Sequence, residues 1–289
     1  MPRHVTARRC VKSVAYGAVT VLIDTATESI QALFGPAHRL WCHLARSGDL
    51  DLVLMSHPEM DRDGAGAIVD YLIAEGFLRP AAGPLPWPVP VPGDEAPASW
   101  GTVEVVTALR PPVDVPARVK PLAVLAVATT IAVAHLGRRD RQLLRLQFLV
   151  RAAHWLAVRP ASHDEATTAV NAVRRVARAA PVRFACLEES VAAIGLLGLQ
   201  RSEAMWCHGI ASDPVRLHAW VHTEQCGPVA EPAEIKYFTV ITRIPGTNSG
   251  GRSPLPSRCS CWRARCWRWV RSGRTWLRPT GGGRTTRSS

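Results

Sequence analysis

The chain has 289 residues, 47% of them hydrophobic, which suits one large or two modest globular domains with a normal core. Its net charge is +12, but residues 246–289 hold ten Arg and no acidic residue, so only +2 belongs to everything before them. A basic balance confined to a tail argues against the folded part being a general nucleic-acid binder.

In chain order, MPRHVTARR opens the sequence without the apolar run of a secretion signal. Residues 5–34 then alternate polar and apolar side chains and are rich in Val, Ile and Thr, which predicts strands over Val5–Ala15, Ala18–Asp24 and Ser29–Phe34. Pro36 opens a helix through Leu40, Trp41 and Leu44 that closes near Gly48. Asp49–Met55 predicts a short second helix, and Asp61–Gly76 a third with Ile68, Leu72 and Ile73 on one face. Three strands and three helices predict a small winged-helix-like domain over residues 1–78. The stretch RPAAGPLPWPVPVPGDEAP, residues 79–97, is too proline-rich for regular ladders and predicts a stiff, extended linker. Residues 98–115 carry no clear pattern.

Helices follow near 117–136, 138–158 and 162–178, the last with Ser162 and Glu165 as a capping box. The first contains the longest apolar stretch, Pro121 to Leu136, shorter than the ~20 residues of a membrane span and read as a buried or interfacial helix. A helix over Cys186–Leu199 and strands over Ala204–Ile210, Val215–His222 and Lys236–Ile244 complete an α+β chain whose second domain spans 98–245. Residues 246–289 mix Arg, Trp, Ser and Gly with no hydrophobic period, and disorder is expected there. The eight cysteines form no even framework, and a reducing cytoplasm is the expected compartment.

Cys186 carries the chemistry. It stands where a loop gives way to the helix CLEESVAAIGLLGL, and a helix N-terminus favours a thiolate, although Glu188 and Glu189 are expected to oppose that in part. His218 lies in the alternating strand VRLHAWVH, on one side with Trp220 and His222. A hairpin turn centred on Glu224–Gln225 would set Glu231 directly opposite His218, where a carboxylate can orient the imidazole while its other nitrogen faces the thiol. That is the logic of Cys–His–acid acyl transfer. A competing constellation, Cys207, His208, His218, His222 and Cys226, could be read as zinc ligands. The tail cysteines Cys259, Cys261 and Cys266 lack a second pair, and the expected mechanism needs no metal and no cofactor.

The segment RFACLEESVAAIGLLGL, the HAWV strand 32 residues after the cysteine, and VAEPAEIKYFTVITRI resemble the transglutaminase-like, papain-like protease domain of lasso peptide B proteins. The resemblance implies Cys186 as nucleophile, His218 as general base and Glu231 as orienting acid. Residues 9–78 resemble the PqqD-like recognition element of ribosomal natural-product pathways, through GAVTVLIDTATESIQAL, GPAHRLWCHL and a helix ending YLIAEGFL. Such domains take a leader peptide as an added strand. The implied lining is Ser29, Ile30, Gln31, Ala32, Leu33 and Phe34 with Ile68, Tyr71 and Leu72. The resemblance implies a leader peptidase of lasso-peptide biosynthesis, partnered by the precursor peptide, an ATP-dependent lasso cyclase and an ABC exporter. The alternative is a catalytically inactive scaffold that presents the precursor to a partner enzyme. Nucleic acid is not expected, because DGAGAIVDYLIAEG, the helix that would enter DNA, carries acids and no Arg or Lys.

Overall fold

The computed structural model describes residues 3–94, 115–180, 184–212 and 215–245. The expectations for residues 95–114 and for the tail, 246–289, lie outside the described residues. The first part comprises β1 (Val5–Ala7), β2 (Val11–Tyr16), β3 (Val19–Asp24), β4 (Ile30–Phe34), α1 (Gly35–Ser47), α2 (Leu50–Ser56), α3 (Arg62–Ala74), β5 (Leu78–Pro80) and β6 (Val91–Pro92). The second comprises α4 (Lys120–His135), α5 (Gln142–Leu156), β7 (Arg159–Pro160), α6 (His163–Ala177), α7 (Cys186–Leu199), β8 (Ser202–Glu203), β9 (Met205–Ala211), β10 (Arg216–Thr223), β11 (Gly227–Pro228) and β12 (Thr239–Ile244).

The strand predicted over Val5–Ala15 is broken in two. The Val11 amide donates to the Arg8 carbonyl to close a turn, and Arg8 N donates to the Phe77 carbonyl. β1 thus pairs with β5, whereas β2 pairs with β3. The sheet order is β4-β3-β2-β6, so among the described residues β4 has an open outer edge. Alternation splits this sheet into two faces. Leu22 and Leu33 pack with Leu40, Trp41, Leu44 and Leu72 of the helices. Val14, Tyr16, Val21 and Ile23 pack instead against Ile210 of β9. The Tyr16 hydroxyl donates to the Ile210 carbonyl at 2.9 Å, a buried bond that ties the two parts together.

The proline-rich segment is extended through residue 94, yet it is no free spacer. Trp87 N donates to the Ala45 carbonyl, and the Trp87 and Trp41 rings meet edge-on with centroids 5.3 Å apart. Gly48, at φ 68, ends α1 in the left-handed conformation, and the Leu85 backbone lies where its Cβ would be. Pro80 and Pro92 sit in strands of three and two residues, respectively, at sheet margins, where a missing N–H is tolerated.

In the second part, α7 is apolar on every side beyond its first turn, as a centrally buried helix must be. It packs against α4, α5, α6 and β10, with Val191, Ala192, Ile194, Leu196 and Leu197 fully or almost fully buried. Each such Val, Ile or Leu contributes roughly 1.5–3 kcal/mol. β11-β10-β9-β12 form an antiparallel sheet beside it. The capping box expected at Ser162 and Glu165 is present, and α6 runs from it along α7. Among the described residues no helix is long and apolar enough to cross a membrane.

Gly198 sets how closely α7 approaches α5. A Cβ there would lie 2.6 Å from the Ala153 carbonyl oxygen and 2.9 Å from Ala153 Cα, both backbone atoms that cannot swing away. Gly198→Ala is therefore expected to destabilise the protein by about 1–3 kcal/mol despite the better helix propensity of alanine. Urea unfolding measures this, and an unchanged or raised midpoint would refute the close-packing account.

Candidate active site

Cys186 is the first residue of α7, preceded by Ala185 in extended conformation. Ala185 has no side chain to accept from the first-turn amides, so the positive end of the helix is not neutralised from the N-cap position. The two nearby acids are both engaged. Glu188 accepts from Ala185 N at 3.2 Å and from Gln142 Nε2 at 3.0 Å, and Glu189 accepts from Arg174 Nε at 3.1 Å. Both carboxylates thus have hydrogen-bond donors of their own.

His218 projects from β10, opposite Gly209 of β9. Its ring stacks at 14° to the Trp220 indole and also meets Phe238, so packing on two sides fixes its orientation. Its Nε2 lies 2.8 Å from Glu231 Oε2, and the Cys186 side chain is near enough to act on the imidazole's charge. Nε2 being taken by the carboxylate, Nδ1 is the nitrogen left for the thiol. Burial pulls the imidazole's pKa down, but the interactions with Cys186 and Glu231 outweigh it and push it up to about 9. The ring is then cationic at neutral pH, the state that favours a thiolate beside it.

The three residues singled out by sequence thus come together, but not by the expected route. The hairpin pairs Thr223 with Gly227 and His222 with Pro228, one step off the expected register, and the Val229 amide still donates to the Val221 carbonyl. Glu231 is not a cross-strand partner of His218. It reaches the imidazole from the segment just after Ala230, which adopts a left-handed φ of 53°. A left-handed alanine costs roughly 1–2 kcal/mol, which the surrounding bonds must offset.

Arg174, on α6, was not evident from the sequence. Its Nη2 donates to Glu231 Oε1 at 3.0 Å and its Nη1 to the Ala230 carbonyl at 2.9 Å, besides the bond to Glu189. With Cys186, Glu189, Ser190, Trp220 and Glu231 it lines a small cleft. A signal existed: Ala166, Val170 and Arg174 lie at i, i+4, i+8 on a row whose first two members are buried, an odd place for a solvated arginine. Ser190, on the cleft wall, accepts from the buried Trp206 indole at 2.9 Å.

The zinc reading fails on geometry. Cys207 and His208 are adjacent in β9 and point to opposite faces, and no group of three or more metal-ligating side chains occurs among the described residues. Burial, with the nearby charge of His218, lowers the His208 pKa to about 4 and keeps that ring neutral. Cys259, Cys261 and Cys266 lie outside the described residues.

Of the side chains expected to line a leader groove, Leu33 and Leu72 do not. They are 4% and 1% exposed and belong to the small domain's core, because each lies on the inward face of its strand or helix. Ser29, Ile30 and Phe34 are exposed, Tyr71 is exposed, and Gln31, Ala32 and Ile68 are half-buried. The Tyr71 hydroxyl donates to Gln31 Oε1 at 2.9 Å, bridging β4 and α3.

Residues 126–243 match the family model described as the transglutaminase-like superfamily, which includes cysteine peptidases and whose members are often cysteine-dependent enzymes. The chain therefore carries a transglutaminase-like domain, and Arg174, Cys186, His218 and Glu231 all fall within it. No curated protein and no solved structure was found to match the chain.

The His218–Glu231 pairing has a thermodynamic signature. A histidine raised from 6.5 to about 9 contributes stability that is fully present below about pH 6.5 and lost as pH rises through about 9. The stability difference between the protein and Glu231→Gln, followed by urea unfolding from pH 6.5 to 10, should be widest at the acid end and narrow through about 9. A difference that is flat or grows with pH would contradict the pairing.

Proposed function

We propose that this protein is a leader peptidase of lasso-peptide biosynthesis, which binds the leader of a precursor peptide and hydrolyses the leader–core bond. The observation that carries this reading is the contiguous array Cys186–His218–Glu231 at the N-terminus of a buried helix in a transglutaminase-like domain. A thiolate at Cys186 attacks the carbonyl carbon of the last leader residue, and the oxyanion develops beside the helix N-terminus. The His218 imidazolium then protonates the departing amine, which releases the core and leaves the leader as a thioester on Cys186. His218, now neutral, takes a proton from water, the hydroxide attacks the thioester, and the thiolate departs with release of the leader carboxylate. Glu231 holds the imidazole in one orientation throughout.

Residues 1–78 serve, in this reading, as a winged-helix-like, PqqD-like recognition element. The open edge of β4 offers unpaired main-chain groups for an added strand, with Ile30, Phe34, Ile68 and Tyr71 as side-chain contacts. In this reading the leader lies along β4, with its C-terminal end continuing to Cys186. An ATP-dependent cyclase would then close the released core, and an exporter would remove it.

Mixing the full chain with its precursor peptide and weighing the products by mass spectrometry tests this. Cys186→Ala should abolish cleavage yet bind the leader with unchanged affinity, and Glu231→Gln should slow cleavage roughly 10²-fold. Cleavage by Cys186→Ala at the wild-type rate would exclude the nucleophile. Leader binding with no cleavage by the wild type would favour a presenting scaffold.

A further inference from the structure

Arg174 stands at the junction of three elements on which the array depends. It donates to Glu189 in the first turn of α7, to the carbonyl of the left-handed Ala230, and to Glu231 Oε1, while Glu231 Oε2 is the oxygen that meets His218. The Arg174 and Glu231 side chains are 22% and 5% exposed, so neither is freely solvated. A guanidinium is a rigid planar fork, and bonds from several of its nitrogens fix their acceptors in direction as well as distance.

We propose that Arg174 is a positioning residue of this site: it fixes Glu231 so that one carboxylate oxygen is presented to His218, and it holds the Ala230 turn against α7. This rests on the reading of Cys186 and His218 as the reacting pair and is independent of which peptide is cleaved. Two effects of Arg174 on His218 have opposite sign. As a nearby cation it disfavours the imidazolium, whereas by aiming Glu231 it favours it. Among the described residues, the charged and titratable groups around His218 include Cys186 from α7, His208 from β9, Glu231, Arg174 behind Glu231, and Arg216 over the Phe238 ring that packs on the imidazole. The aiming effect dominates, because the guanidinium charge is already shared between two carboxylates while Glu231 touches the ring at 2.8 Å.

The sign of the change therefore separates positioning from simple charge. The test is the His218 titration in the full chain, followed by NMR of carbon-13 histidine and assigned with His218→Gln, together with the alkylation rate of Cys186 by iodoacetamide, read by peptide mapping. In Arg174→Gln the titration should fall from about 9 to about 8 or below, and Cys186 alkylation at pH 7 should slow about tenfold. Arg174→Lys, which keeps the charge but not the fork, should give intermediate values. Arg174→Gln combined with Glu231→Gln should go no lower than Glu231→Gln alone. A titration that stays in place or rises in Arg174→Gln overturns the proposal. Should that variant fail to fold, Arg174→Lys decides, and wild-type values there overturn it. Expected titration and alkylation without cleavage of a precursor peptide would sink the leader-peptidase reading alone.

Discussion

A carboxylate that keeps only 5% of its surface exposed cannot remain charged without partners, and Glu231 has two. One oxygen meets the His218 imidazole and the other the Arg174 guanidinium. Removing a partner from so buried an ion typically costs about 3–5 kcal/mol, so the three side chains specify one another. The left-handed Ala230, the placement of α6 and the charge balance beside Cys186 all follow from satisfying that one group. Glu189, which would otherwise stand unpaired beside the thiol, is drawn into the same network.

Nucleophilic catalysis needs reacting atoms held within a few tenths of an ångström, and the fold supplies that rigidity from its core. α7 is clasped by three helices and a sheet, so its first residue moves only if the whole domain moves. Arg145 strengthens this frame: from α5 it donates to the carbonyls of Val133, Ala134 and Arg138, closing the C-terminal end of α4. The small domain is fastened to the same body through Tyr16 and the apolar residues around Ile210.

Local signals were legible in the sequence where local physics decides. The bounds of α7, Cys186–Leu199, follow from an apolar run that begins at a loop, and the start of α6 follows from a capping box at Ser162 and Glu165. Long-range choices were not legible. Nothing in Val5–Ala15 announces that its first half pairs with residues after α3, because that depends on where α3 ends. The proline-rich stretch reads as a spacer, since only the finished fold shows Trp87 against Trp41. The spacing predicts Glu231 opposite His218 only for a hairpin turn centred on Glu224–Gln225, and the observed turn is shifted by one step. Glu231 instead reaches His218 from just after a left-handed alanine that no residue type foretells. Arg174 lies 57 positions before Glu231 and carries no motif.

The central claim is that Cys186 is a nucleophile which takes the leader as its acyl group. Acid-quenching the full chain milliseconds after mixing with precursor peptide, then weighing the intact protein and its peptide fragments, tests it most directly. The account predicts a transient adduct of the leader's mass less one water, confined to the peptide that carries Cys186, with free core present before free leader accumulates. Cleavage that proceeds with no adduct at Cys186, or with the adduct on another residue, would contradict it.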